Sequence, residues 1–413
     1  MEKKTFMITG GNFTNKGAQS MIMITVSEIR KRFSDADIYI LPNDDYRSYD
    51  TKNLRFSVLR NHTDFFLINC GFLNKLKLLI KNVVRFCLMR DVYIFKELRT
   101  YTDTIKKIDC ILDISGFCLS SQFETEYNMM LLNIIKEGKK YDIPVILLPQ
   151  SFGPFDYKEN KDKMLKLIKN ELSYPYAVFA REKNGYKLLK SVLRDDHNLR
   201  LSSDLVLQNK DINLSDIFVK VPKMFELKVM PNSVAVIPNS MNSTQGKDCE
   251  ILCLYRKIIM KLLEYGKQVY VLYHSSMDRE YCVKILENFK NTEDLHFIDH
   301  DIDCYEYDSF VSEFDYIVAS RYHSIVHSYR NHVPAVILGW ASKYKALATL
   351  VNQENLVLDT REDIDDNKIF SLIEDINIKH NKYKQVISDK MFEIQKHNCF
   401  DVLNQLFDSE VIN

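Results

Sequence analysis

The 413-residue chain has no excess of either charge, because 56 Lys+Arg balance 56 Asp+Glu. That balance excludes the globally basic surface of a nucleic-acid-binding protein, so electrostatic recognition has to come from local patches. Its nine cysteines, at 70, 87, 110, 118, 248, 253, 282, 304 and 399, form no CxxC pair and no metal-ligand rhythm. They lie mostly in apolar or mixed segments, as reduced cytosolic thiols do, and no metal is expected. No stretch approaches the roughly 18 uninterrupted apolar residues of a membrane span. The opening MEKKTFMITGGN reads as a strand and a glycine turn, without the apolar core and small-residue cleavage site of a signal peptide. A reduced, cytoplasmic protein is expected.

What the chain does have is a rhythm of short apolar segments, each followed by polar residues and a helix-like stretch. In the first half these are TFMITGG (5–11), DIYILPN (37–43), CILDISG (110–116), VILLPQS (145–151) and YAVFARE (176–182). In the second they are VAVIPNS (234–240), QVYVLYHS (268–275), HFIDHD (296–301), DYIVAS (315–320) and PAVILG (334–339). Strands alternating with helices predict parallel sheets covered on both faces. The length predicts two domains. Weak periodicity around Lys-Val-Pro-Lys (220–223) and Met-Pro-Asn (230–232) puts the junction at about 212–232. The expected division is an N-terminal Rossmann-like domain over 1–222, a C-terminal one over 223–385, and a helical tail over 386–413.

Parallel sheets bind ligands outside the carboxyl ends of their strands, and the polar residues gather there. The first turn holds Gly10, Gly11, Asn12 and Asn15 ahead of a helix, where backbone N–H groups attract an anion or a sugar oxygen. It is neither GxGxxG nor a Walker sequence, which argues against a dinucleotide. Gly116 in ISGFCLSSQF (114–123) admits close approach to the backbone, and PQSFGPF (149–155), with Gln150 and Ser151, forms a second candidate wall of a cleft. Arg181 ends the fifth segment, where a guanidinium forks two bonds to phosphate or carboxylate. Asp204 in LRLSSDLVL reads as a carboxylate inside a short apolar strand: a group satisfying backbone amides, or a base. His274 follows QVYVLY. Arg321, His323 and Ser324 open a helix after DYIVAS, so side chains and helix dipole converge on one spot. A histidine beside an arginine has its cation disfavoured, whereas a bound dianion restores it; that suits proton donation to a phosphate-bearing substrate.

In order, these stations resemble the polysaccharide pyruvyl transferase family over residues 5–350. The matching segments are GG-N-xx-N-x-G (10–17), DIS-G (113–116), PQSFGP (149–154), ARE-K (180–183), S-D (203–204) and H-xxx-D (274–278), then R-Y-H-S with VPAVILGW-xxK (321–343). The resemblance implies a GT-B-like α/β fold, two Rossmann-like domains whose parallel sheets face a central cleft. It implies transfer of the pyruvyl group of phosphoenolpyruvate to a sugar of a cell-surface polysaccharide precursor, with a 4,6-type ketal as product and phosphate released. Arg181 and Arg321 would then hold the donor's phosphate and carboxylate, His323 would be the acid or phosphate partner, and Asp204 a base. Ser324, Lys343, the first-loop residues, Gly116, Gln150, Ser151 and His274 would line the substrate site, and no cofactor is needed. Two departures bear on the acceptor: Ala18 stands where the family usually carries an acid, and Ser115-Gly116-Phe117 replaces a glycine run. The rival readings are a GT-B glycosyltransferase, with Arg321 and Lys343 clamping a nucleotide sugar, and a non-catalytic member of the fold.

One further stretch is FLNKLKLLIKNVVRFCLMR (72–90), with Lys75, Lys77, Lys81, Arg85 and Arg90 and no acid. Lys77, Lys81 and Arg85 recur every four residues, with Leu76, Leu79, Ile80, Val83 and Cys87 largely opposite. A basic amphipathic helix of this kind is expected to pack on the core or to rest on an anionic membrane, which would bring a peripheral enzyme to a lipid-linked oligosaccharide.

Overall fold

The computed structural model describes residues 3–43, 49–59, 93–193, 195–245, 248–289, 292–363 and 365–410. The basic stretch 72–90 lies outside them. Each of the ten apolar segments forms a strand, because Ile, Val and Leu suit a pleat buried on both faces. The first sheet contains β1 (Thr5–Thr9), β2 (Asp37–Leu41), β3 (Ser57–Val58), β4 (Cys110–Asp113), β5 (Val145–Gln150), β6 (Ala177–Ala180) and β7 (Leu199–Leu201). The second contains β8 (Ser233–Ile237), β9 (Gln268–Leu272), β10 (Leu295–Ile298), β11 (Tyr316–Ala319), β12 (Ala335–Gly339) and β13 (Val357–Asp359).

The strand orders are β3-β2-β1-β4-β5-β6-β7 and β10-β9-β8-β11-β12-β13. Pairing is parallel throughout, with Phe6 beside Cys110 in the first sheet and Ile317 beside Ala335 in the second. Each order reverses once, between β1 and β4 and between β8 and β11. A crevice opens outside the strand ends at such a point. Both sheets therefore present their ligand-binding ends at a switch, and the turns after β1, β4, β8 and β11 stand there.

Residues 221–230, between the sheets, carry no regular structure. The expected tail differs in one respect: residue 386 falls inside a continuous helix, Asp366–Ile394. Its apolar face buries Ile369, Ile373 and Ile376 at one end and Ile387 and Met391 at the other, so no break separates domain from tail. The last helix, Asp401–Glu410, returns to the first sheet, where Phe407 packs against Phe6 and Phe33. Among the described residues no helix is long and apolar enough to cross a membrane.

A candidate active site between the two sheets

The first helix, Lys16–Arg32, hangs on β1 but is fastened to the second sheet's elements. Lys16 Nζ meets Asp301 at 2.5 Å, Gln19 Nε2 donates to Asp303 at 2.6 Å, and Gln19 Oε1 accepts from the N–H of Cys304. Buried Ser20 meets His327 Nε2 at 2.9 Å, and Nδ1 of the same ring meets Asp308 at 2.9 Å. The seam therefore brings the turn after β1 against the turn after β11.

At that seam stands His323, at the start of the helix Tyr322–Arg330. Gly17 abuts its ring so closely that a Cβ there would lie 2.1 Å from Cγ. On its other side, Nε2 stands 3.8 Å from Asp204 Oδ2 and has no hydrogen-bond partner. Burial depresses the imidazole pKa; Asp204 raises it and Arg181 lowers it again, for a result of about 3. His323 is thus neutral at neutral pH.

Arg181 lies behind it, 4% exposed and close to fully engaged. Nε donates to Ser151 Oγ at 2.8 Å, and Nη1 pairs with Asp204 Oδ2 at 2.8 Å. The guanidinium carbon stands 4.3 Å from the centroid of the Tyr322 ring. Burial opposes its charge, but Tyr322, Asp204 and Glu182 outweigh that and push its pKa up. Asp204 is not in a strand, contrary to the sequence reading: it is the N-cap of the short helix Leu205–Gln208, and Oδ1 accepts from the N–H of Val206. With both oxygens taken, its first role is to hold Arg181 and the helix start.

Arg321 has a matching arrangement. Nε and Nη2 form a fork on Asp278, at 2.5 and 2.6 Å, and Asp278 is wholly buried, held also by Ser240 N–H and Oγ. Among the described residues, Nη1 of Arg321 and Nη2 of Arg181 have no protein acceptor. Lys343, half-buried at the start of the helix Ser342–Leu350, forms no ion pair among the described residues. Its ammonium stands 4.8 Å from the Phe117 ring centroid, 5.0 Å from Trp340 and 5.4 Å from Tyr322. Burial, then the charge of Arg181, lowers its pKa to about 7, against a smaller upward pull from Glu182.

Tyr322 thus lies between Arg181 and Lys343, a role not legible in its position between two polar residues of RYHS. Lys343, Ser151 and Glu182 line a cleft of about 330 Å³ between the halves, with Phe117, Gln122, Asn184 and Arg361. The structure brings Arg181, Ser151, Asp204, His323 and Lys343 together in this way. Ser324 instead turns inward and donates to Arg321 O at 2.6 Å. Buried His274 packs edge-on to Tyr307 with Nε2 unpartnered; burial, then the neighbouring His327, holds its pKa well down.

The first-loop residues and Gln150 serve their own turns. Gly10 has φ +80° and a Cβ would lie 2.3 Å from Ser115 Oγ, while at Gly11 it would strike Ile22. Asn12 Oδ1 accepts from the N–H groups of Thr14 and Asn15, and Asn15 Oδ1 caps the first helix at Gly17 and Ala18. Gln150 donates to Asp113, a buried carboxylate that also accepts from Thr9 and Ser115 and whose pKa burial raises. Gly116, with φ +69°, faces Met21. Among the described residues no group of His, Cys, Asp and Glu is placed to hold a metal ion.

Two parallel sheets meeting at a polar seam define a GT-B-like α/β protein, and solved structures agree on that fold. The kitacinnamycin glycotransferase superposes with TM-score 0.56 at 8% identity, covering 99% of each chain. UDP-GlcNAc 2-epimerase from Neisseria meningitidis, bound to UDP-GlcNAc, gives 0.54 at 11%, covering 98% of this chain and 100% of that one. Anabaena HepE, in complex with UDP and glucose, gives 0.53 at 9%, covering 99% of both. At such identities the likeness is one of fold alone. The family is set by sequence: the polysaccharide pyruvyl transferase model matches residues 15–342, and the chain belongs to that family. No curated protein matches it.

Proposed function

We propose that the protein transfers the pyruvyl group of phosphoenolpyruvate to a sugar of a polysaccharide precursor, closing a 4,6-type ketal and releasing phosphate. The observation that carries this reading is Lys343, which has no ion-pair partner among the described residues and stands beside neutral His323, with one amino group left over on buried Arg181 and one on partly buried Arg321. Phosphoenolpyruvate is a trianion with two anionic ends, and such a set of separated donors suits it. Protonation of its methylene carbon leaves an oxocarbenium-like centre at C2, to which a sugar hydroxyl adds. Phosphate leaves and a second hydroxyl completes the ketal. A bound trianion raises the pKa of His323 from its depressed value, so donor binding itself charges the acid. The acceptor in this reading is a lipid-linked oligosaccharide.

The test is incubation with phosphoenolpyruvate and a panel of lipid-linked oligosaccharides, read by phosphate release and by mass. The expected product gains a pyruvic acid less one water. His323→Ala and Arg321→Ala should each lower turnover by roughly 10²-fold or more in a folded protein. Heat protection by a nucleotide sugar, without phosphate release, would instead indicate a glycosyltransferase.

A further inference from the structure

The cleft beside Lys343 has one acidic lining residue among those described, Glu182. Ser151 Oγ donates to its Oε1 at 2.6 Å and accepts from Arg181 Nε, so the carboxylate is fixed through the same serine that steadies the arginine. Oε2 has no protein donor among the described residues. Asp204, by contrast, has both oxygens occupied and does not line the cleft. Beside Glu182 the lining from the first half adds the Phe117 ring and the amides of Gln122 and Asn184, a flat apolar face and neutral hydrogen-bonding groups, while Lys343 and Arg361 come from the second half. The first-half wall suits a polyhydroxyl ring, and its carboxylate turns a trianion toward the facing Lys343.

The cleft does not end there. Ala341, Ser342, Ala346 and Arg361 also line a second hollow, of about 550 Å³, beyond the ends of β12 and β13. The two adjoin across these four shared residues, so the groove extends past the Lys343 cleft.

We infer that this groove receives the acceptor as an oligosaccharide chain, and that Glu182 Oε2 takes the proton of the attacking hydroxyl. The inference rests on the pyruvyl-transfer reading and assigns its acceptor side. In the reaction the first O–H bond breaks as the C2–O bond forms, and the hydroxyl proton passes to Glu182. C3 gains a proton and becomes a methyl group. The second hydroxyl displaces the C2–O(phosphate) bond, and its proton leaves on hydrogen phosphate. Two protons leave the sugar and two are accounted for, so no further reactant is required; the proton on Glu182 replaces the one given to C3.

The experiment uses the full chain, phosphoenolpyruvate and methyl hexosides with free O4 and O6, together with their di- and trisaccharide homologues. Glu182→Gln, which keeps the Ser151 hydrogen bond, should lower kcat by roughly 10²-fold and leave the KM for phosphoenolpyruvate unchanged; Glu182→Asp should recover part of the loss. Gln122→Ala and Asn184→Ala touch no ion pair and decide the matter if Glu182→Gln does not fold. Each should raise the acceptor KM roughly 3- to 10-fold with the donor KM unmoved, the scale of one lost hydrogen bond. The acceptor KM should fall as the hexoside is lengthened. Full kcat in folded Glu182→Gln, or amide variants that shift only the donor KM, would overturn the assignment while pyruvyl transfer stood. A wild-type chain that releases no phosphate with any of these acceptors would overturn the functional reading itself, and this inference with it.

Discussion

Gly17 and His323 touch across the seam: a Cβ built on Gly17 would lie 2.1 Å from Cγ and 2.3 Å from Nδ1 of the imidazole. The backbone of the first sheet's leading helix thus fixes a side chain carried by the second sheet. Gly17→Ala has to push the ring aside or part the halves. Turnover should fall roughly 10²-fold, as for a catalytic group misplaced by about an ångström. Overpacking should lower stability by about 1–3 kcal/mol. Kinetics and thermal melting check both, and unchanged turnover would mean that the ring's position does not govern the reaction.

Lys343 titrates in the neutral range because burial and Arg181 lower its pKa to about 7. Above that value the free protein loses the charge that attracts an anion, and binding a trianion restores it. Donor binding at slightly alkaline pH should therefore take up protons, and the donor KM should rise with pH. Titration calorimetry in buffers of different ionisation enthalpy reads the uptake. Lys343→Met should abolish most of it, and Lys343→Arg should flatten the rise in KM.

The same group and His323 bear on stability with a definite sign. The folded pKa of His323 is about 3, against 6.5 for an unburied histidine. Between those values the unfolded chain holds a proton that the folded one lacks, so stability falls as pH drops through that window. The contribution is on the order of a few kcal/mol. Urea unfolding from pH 7 to pH 4 should show a smaller loss in His323→Gln than in the wild type.

Asp204→Asn leaves the buried guanidinium of Arg181 without its closest counter-charge. The expected loss is about 3–5 kcal/mol, as for a broken buried pair. A folded, stable variant that lacks turnover would instead make Asp204 a participant in the chemistry. Chemical denaturation beside an activity assay separates the two.

Ten strands were legible because each is a run of Ile, Val and Leu closed by a polar turn. The edge strands β3 and β13 were not: Ser57–Val58 and Val357–Asp359 are too short for a period to register, and β7, Leu199–Leu201, is only the first third of the strand read over LRLSSDLVL. At the site, RYHS pointed to Arg321 and His323 because a helix start gathers donors. The pairing of Arg321 with Asp278, 43 residues earlier, is tertiary and has no local signal. Asp204 was misplaced for a related reason. Three residues after a strand, a capping carboxylate and a buried strand carboxylate have the same apolar neighbours in sequence. Asn12 and Asn15 followed the usual logic of a polar turn, yet their side chains satisfy backbone donors nearby.

The returning C-terminal helix has a consequence for how the chain acquires its structure. Phe407 closes over Phe6 and Phe33, Asn398 donates to buried Glu28, and Asp401 pairs with Arg32. Domains usually condense in the order in which the ribosome releases them. Here the first half keeps an apolar face uncovered until nearly four hundred residues have emerged. Nascent chains halted before residue 398 should therefore display that face to chaperones and to one another, although every strand of both sheets has already been made.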